Sequence, residues 1–359
     1  MKINKQFHQH ILERLFIKLD RLFKVLMGFF YFGGCVVGVF EQFGVSVYRT
    51  MRGRGAYICE TGKGIKLLRE TTCKEEKYAK EDYITLELQK KGFNYVDSFC
   101  RSVSGEILVE DEDKKKYYLK NWFDAGECDV KSYHDVIGAI GAIASVHKHL
   151  LEVGLNDVAF GIPENKSLEE RYGGKLKEMR SVSNYLKGKK GKTDFERSAY
   201  EQMKTYFSEG EVAYERLMNS NYSKLYNEAV SGKIIAHGAC NHHNILNGRG
   251  YVAVVNFERA NINLQITDLY DFMRKILEKY DWDIKLAYKM IDEYNKVKTI
   301  SDDELNVLGI MFAFPEKFFK IMNHYYNSSK AWIPDKDIEK LKNVIKQNES
   351  RRRFVESLK

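Results

Sequence analysis

Short alternating runs and longer three-to-four-residue rhythms divide this chain, and each predicts an element. Residues 56–60 and 65–69 alternate around Thr61-Gly62-Lys63-Gly64, the pattern of a β-hairpin. Residues 74–91 read as a helix, and residues 117–123 alternate as a further strand. From Ser132 to about Leu151 a stripe of Val136, Ile140, Ile143, Ala144 and His147 marks one helical face. Residues 168–218 form long charged helices interrupted at 187–192, with Phe195, Met203, Phe207 and Tyr214 as the buried side. The turn Asn247-Gly248-Arg249-Gly250 introduces a strand over 251–255, and everything from Asp268 onward is helical. In that last part Phe312, Phe314, Phe318, Phe319, Tyr325, Tyr326 and Trp332 supply an aromatic surface for the core or for a subunit contact. Strands cluster early and helices late, so the fold class is α+β: a small antiparallel sheet and a larger, mainly α-helical part.

With 359 residues and 44% hydrophobic content the chain can bury a sizeable core, and 13% aromatic residues with three prolines exclude a disordered filler. The net charge of +8 is concentrated in residues 187–192, in Arg351-Arg352-Arg353 and in the first two dozen residues. Such runs serve as solvated loops and tails, or as a surface for an anionic partner. No zinc-finger, helix-turn-helix or RNP-type pattern gives that charge a groove to enter, so nucleic acid is excluded as a partner. Six scattered cysteines form no close pair, which predicts neither a disulfide framework nor a metal knuckle.

The first 38 residues form a basic and apolar extension. Residues 25–40 carry no charge, but sixteen residues with four glycines are short for a transmembrane span. Ile11, Leu15, Leu19 and Leu22 fall on one helical face, so a packed extension and membrane-surface docking both remain readings of this segment.

The chemistry concentrates in His237-Gly238-Ala239-Cys240-Asn241-His242-His243-Asn244. Its spacing is that of a phosphotransferase catalytic loop, in which a carboxylate accepts the acceptor's proton and an amide five residues later holds magnesium. Ala239 stands where the carboxylate belongs. Twelve residues after Asn244, Asn256-Phe257-Glu258 takes the place of a second magnesium carboxylate, again with a neutral residue. Asp268 lies at the distance of the aspartate that accepts backbone N–H groups of such a loop.

These stretches, with Arg54-Gly55-Ala56-Tyr57, Trp122 beside Gly126-Glu127-Cys128-Asp129, Pro315-Glu316-Lys317 and Lys330-Ala331-Trp332, resemble the aminoglycoside phosphotransferase-like superfamily. Within it they are similar to the bacterial spore-coat kinase-like proteins of the CotS type. The resemblance implies a bilobal protein-kinase-like fold, with the extension at 1–38, a small lobe at 39–124 and a helical lobe at 125–359. It implies a remnant loop in His237, Ala239 and Asn244, braced by His237 and Asp268. Arg69 stands nearest the phosphate-contacting lysine, with Glu81 as its carboxylate partner. Trp122, Asn244 and Asn256 complete a nucleotide-pocket remnant. Asn244 and Asn256 are the weak metal candidates, and no metal is expected.

The functional expectation is a catalytically impaired, pseudokinase-like component of the spore coat, with no cofactor, made in the mother-cell cytoplasm and soluble. Its expected partners are other coat proteins, copies of itself, and a membrane surface met through the extension. The alternative is an active small-molecule phosphotransferase with a divergent loop, using ATP and Mg.

Overall fold

The structure, a computed structural model, describes residues 37–53, 55–154, 164–327 and 334–358. Expectations for the first 36 residues, for Arg54 and for Lys330-Ala331-Trp332 fall outside these. The chain forms two compact units. The first runs through Gly126 and also takes in residues 246–258, a stretch that the division at residue 124 leaves in the helical part. The second comprises Glu127–Ile245 and Arg259–Lys359.

In the first unit a short helix α1 (Val37–Gln42) precedes strands β1 (Val47–Gly53), β2 (Ala56–Thr61) and β3 (Gly64–Thr71) and helix α2 (Glu76–Lys90). Strands β4 (Leu108–Glu110) and β5 (Lys116–Asn121) complete an antiparallel sheet of order β1-β2-β3-β5-β4. The hairpin expected around residues 61–64 closes with Thr61 opposite Gly64. Consecutive residues turn to opposite faces of this sheet. Leu68, Cys59 and Leu119 pack under Val39 and Phe40 of α1, whereas Leu67, Ala56 and Tyr118 meet Tyr78 of α2 and Phe99. Both faces are therefore covered, and β5 is buried at four consecutive positions.

Strand β6 (Ala125–Glu127) follows directly. Later in the chain β8 (Ile245–Gly248) and β9 (Tyr251–Val254) form the hairpin that returns to the first unit, where Leu246, Ala253 and Val255 pack against Trp122 and Phe123. Tyr251 stacks on Tyr95 with centroids 4.9 Å apart.

The second unit is built of α3 (Tyr133–Leu150), α4 (Leu168–Gly188), α5 (Asp194–Met218), α6 (Tyr222–Ser231) and, after β7 (Ile235–Ala236) and β10 (Asn261–Ile262), α7 (Ile266–Leu277). Helices α8 (Ile284–Val297), α9 (Asp302–Ala313), α10 (Glu316–Asn327), α11 (Pro334–Lys346) and α12 (Asn348–Ser357) complete it. Strands β7 and β10 pair antiparallel and flank the remnant loop. The buried side of α5 is centred on Met203, Tyr206 and Ala213, so Phe207 and Tyr214 lie on its half-buried margin, one residue off the expected stripe. Phe312, Phe314, Phe318 and Phe319 are all core.

Two side chains of the basic runs turn inward, whereas Lys187, Lys190, Arg352 and Arg353 are exposed. Lys189 bonds Glu196 at 2.7 Å, and Arg351, only 8% exposed, reaches Glu209 and the carbonyls of Phe312 and Ala313. Lys189 and Arg351 are ion-paired within the unit, which neither sequence reading foresaw, while the exposed cations fit the solvated reading.

Candidate functional site

In the second unit the remnant loop hangs between β7 and β8 and is held by one carboxylate. Asp268, in the first turn of α7, accepts the backbone N–H of His237 at 2.6 Å and of Gly238 at 2.9 Å. Its Oδ2 also receives His147 Nε2 at 3.2 Å, and the Tyr294 hydroxyl lies 2.7 Å from the other nitrogen of that ring. Burial would raise the Asp268 carboxyl, but the His147 hydrogen bond and the His237 N–H outweigh it and hold the group below its ordinary value. The ring of His237 is fully buried, and its Nδ1 takes the Ala239 N–H at 3.2 Å.

Gly238 is required where it stands. Its φ is +74°, and a Cβ there would lie 2.1 Å from the Arg259 carbonyl oxygen. His147, Cys240 and Asp268 bring possible ligand atoms within 4.8 Å of one another, yet His147 and Asp268 are committed to the brace. Burial pushes the Cys240 thiol well up, so it packs as a neutral group.

The loop bonds its two asparagine amides internally, while the buried Nδ1 of His242 has no partner. The Ala239 carbonyl accepts Asn241 Nδ2 at 2.8 Å and Asn244 Nδ2 at 2.9 Å, so the amide of Asn244 donates within the loop. His243 Nδ1 lies 2.6 Å from Glu127, and Cys128 N–H bonds the Ile245 carbonyl, which fastens the start of the unit to the loop's end. Burial, with His243 close by, lowers His242 to about 4, so its ring is neutral at physiological pH.

The first unit holds the other sequence-singled residues. Glu81 of α2 is 3% exposed and is bonded at 2.7 Å by Lys120 Nζ, from β5. The same ammonium bonds Asp97 at 2.8 Å and lies over the Phe99 ring at 4.5 Å. Burial works against the charged lysine, but the two carboxylates outweigh it and hold Lys120 above its ordinary value. Glu81 thus has an unforeseen partner: Lys120 and Asp97 escaped the sequence reading, which looked for the cation on β3 at Arg69. Arg69 faces Tyr118 across the β3–β5 ladder and acts on Glu258, whose carboxyl is held below its ordinary value first by the Lys77 hydrogen bond and then by neighbouring charges, Arg69 included.

Asn256 sits in the left-handed region at φ +66°, a conformation asparagine tolerates. Its backbone N–H bonds Asp97 Oδ1 at 3.0 Å, so a chain of contacts runs from Glu81 through Lys120 and Asp97 to Asn256. Glu258 is tied down by Lys77 at 2.9 Å, and its carbonyl by Lys80 at 2.9 Å. Trp122 packs half-buried against two of the apolar clusters of this unit, its backbone N–H on the Ile65 carbonyl at 3.0 Å.

Comparison with known proteins places these features. The family model described as "Spore coat putative kinase YutH" matches residues 38–358. Spore coat protein S of Bacillus subtilis (strain 168) is 30% identical over 98 residues, a match spanning 27% of this chain and 28% of that protein. Among solved structures, an aminoglycoside phosphotransferase from Alicyclobacillus acidocaldarius aligns with a TM-score of 0.78 at 16% identity, covering 89% of this chain and 93% of that one. Spectinomycin phosphotransferase, solved with ADP and spectinomycin, aligns at 0.62 and 9% identity over 88% and 97%. At such identities the likeness establishes the protein-kinase-like fold alone.

Proposed function

The chain belongs to the spore-coat kinase-like family whose model spans residues 38–358, and from that premise we propose that it is a catalytically impaired member acting as a structural or docking component of the coat. The observation that carries this reading is the methyl side chain of Ala239, which stands where an enzyme would present a proton-accepting carboxylate, in a loop whose amides Asn241 and Asn244 bond that residue's main-chain carbonyl. A methyl group at 239 cannot take a proton. Asn244 and Asn256 offer a divalent cation amide oxygens and no charge, a donor set that does not fit magnesium, which is bound through carboxylates. The buried lysine beside α2 is spent on two carboxylates. Each of these features favours a self-contained scaffold, and the partners proposed for it are other coat proteins and further copies of the chain.

A thermal-shift titration with ATP, with and without Mg²⁺, tests the proposal, since any ligand of the native state raises its melting point. The expected shift is under about 1 °C at millimolar nucleotide. Robust phosphoryl transfer by the unaltered protein would defeat the reading and install the active phosphotransferase in its place. The double variant Ala239→Asp/Asn256→Asp returns the two carboxylates. A gain of ATPase activity in it alone would show that loss of these charges is what silenced the frame.

A further inference from the structure

Within the helical unit a cavity of about 350 Å³ opens among α7, α9, α10, α11 and α12, a volume at the lower end for small-molecule sites. Its walls are aromatic, with Tyr270, Trp282, Phe312 and Phe318 among them. Its charges are unequal: five cationic side chains line it against the carboxylates of Glu278 and Glu316. Those carboxylates are already matched, Glu278 by Arg274 and Lys317, and Glu316 by Lys175 and Lys320. Arg351 is committed to Glu209. What remains is Lys275, in the last turn of α7, and Lys279, just past its end and four residues on, neither side chain of which forms an ion pair or hydrogen bond among the described residues.

Two ammonium groups at that spacing repel each other. Asp271, one turn earlier on the same helix, raises Lys275 by its charge, but the two form no ion pair. Burial is the larger influence and holds Lys275 below its ordinary value. On the same wall Arg274 is 5% exposed and its buried Nε has no hydrogen-bond partner. The cavity therefore has an apolar body and a lip that carries two cations outside any ion pair.

We propose that this cavity binds a small organic dianion, a phosphate ester or a dicarboxylate, with its apolar body against the aromatic wall and its charged group between Lys275 and Lys279. The site differs in sign from one suited to a polycationic aminoglycoside, whose ammonium groups need carboxylates. No residue of the remnant loop lines it, although Lys275 acts by its charge on Cys240, and Lys275 and Lys279 act on His242, of that loop.

Isothermal titration calorimetry on the full chain, with phenyl phosphate and phthalate as probes, tests the assignment. Saturable binding of either is expected, phenyl phosphate alone marking a phosphate site and phthalate alone a carboxylate site. Lys275→Gln and Lys279→Gln should each weaken that binding about tenfold, whereas Lys285→Gln, on another helix and outside the cavity, should not. Melting curves of the variants establish that they fold. Absence of saturable binding by both probes, binding indifferent to the Lys275 and Lys279 substitutions, or equal binding of neutral benzyl alcohol by the unaltered protein would each overturn the proposal. None of these results touches the ATP titration, so the two readings fail separately.

Discussion

Gly238 and Lys120 are the two positions at which a single side chain decides most. At Gly238 the left-handed backbone and the Arg259 carbonyl 2.1 Å from a would-be Cβ leave no room for even a methyl group. Gly238→Ala should cost roughly 3 kcal/mol or distort the loop, measured by chemical denaturation and by loss of the Asp268-bonded amide protons' protection from exchange. Lys120→Met removes the cation between two buried carboxylates, and an uncompensated buried charge is worth about 3–5 kcal/mol of destabilisation. A variant as stable as the parent would show that Glu81 or Asp97 simply takes up a proton. Glu81 stands out in the sequence because the helix and its spacing are visible there. Lys120 does not, since Tyr117-Tyr118-Leu119-Lys120-Asn121 reads as an alternating strand with one polar side. Only the covering of both sheet faces, by α1 and by α2, turns that lysine into a buried one.

Among the elements, the hairpin at β2–β3, helix α2 and the run of helices after Asp268 follow from local pattern, and their bounds fall within a few residues of expectation. Several helices of the second unit start at a side-chain cap. Thr193 opens α5 with a reciprocal box, its hydroxyl accepting Glu196 N–H at 3.2 Å while Glu196 accepts Thr193 N–H at 2.9 Å. Thr193→Ala is expected to cost about 1 kcal/mol in denaturant unfolding, and more if the released Glu196 also loosens Lys189. What local pattern hides is the partner across the fold. The run Arg351-Arg352-Arg353 looks like a solvated tail until Glu209, far back on α5, is placed against it. The stripe on α5 slipped by one residue for a similar reason: Tyr206, buried against Phe318, outranks Phe207, and that choice belongs to α10 and α11 and not to α5 itself.

For the molecule as a whole, acid is the sharpest probe of what holds the helical unit. Glu316 is 4% exposed, and although burial raises it, Lys175, Lys320 and Arg171 bring it down to about 2. Lys175 is itself lowered, because burial and two cationic neighbours oppose its one carboxylate. Both directions hold together, since the carboxylate has three cations and the ammonium a single anion. A carboxyl whose folded value is depressed contributes stability above its unfolded value of about 4.5, lost as pH falls through the folded one, here roughly 3 kcal/mol. Asp268 acts in the same sense. Denaturation curves should therefore show a steep loss between about pH 4.5 and 2, flattened in Glu316→Gln, and a flat limb in the parent would refute this account. The division into units also bears on biosynthesis. Residues 246–258 supply Leu246, Ala253 and Val255 to the sheet unit, whose remaining sequence ends at Gly126. A nascent chain emerging at about 5–20 residues per second must wait on the order of ten seconds before its Trp122 and Phe123 find that cover. During this interval a naked hydrophobic wall trails from the ribosome, so chaperone dependence and aggregation at high expression should follow from the order of translation.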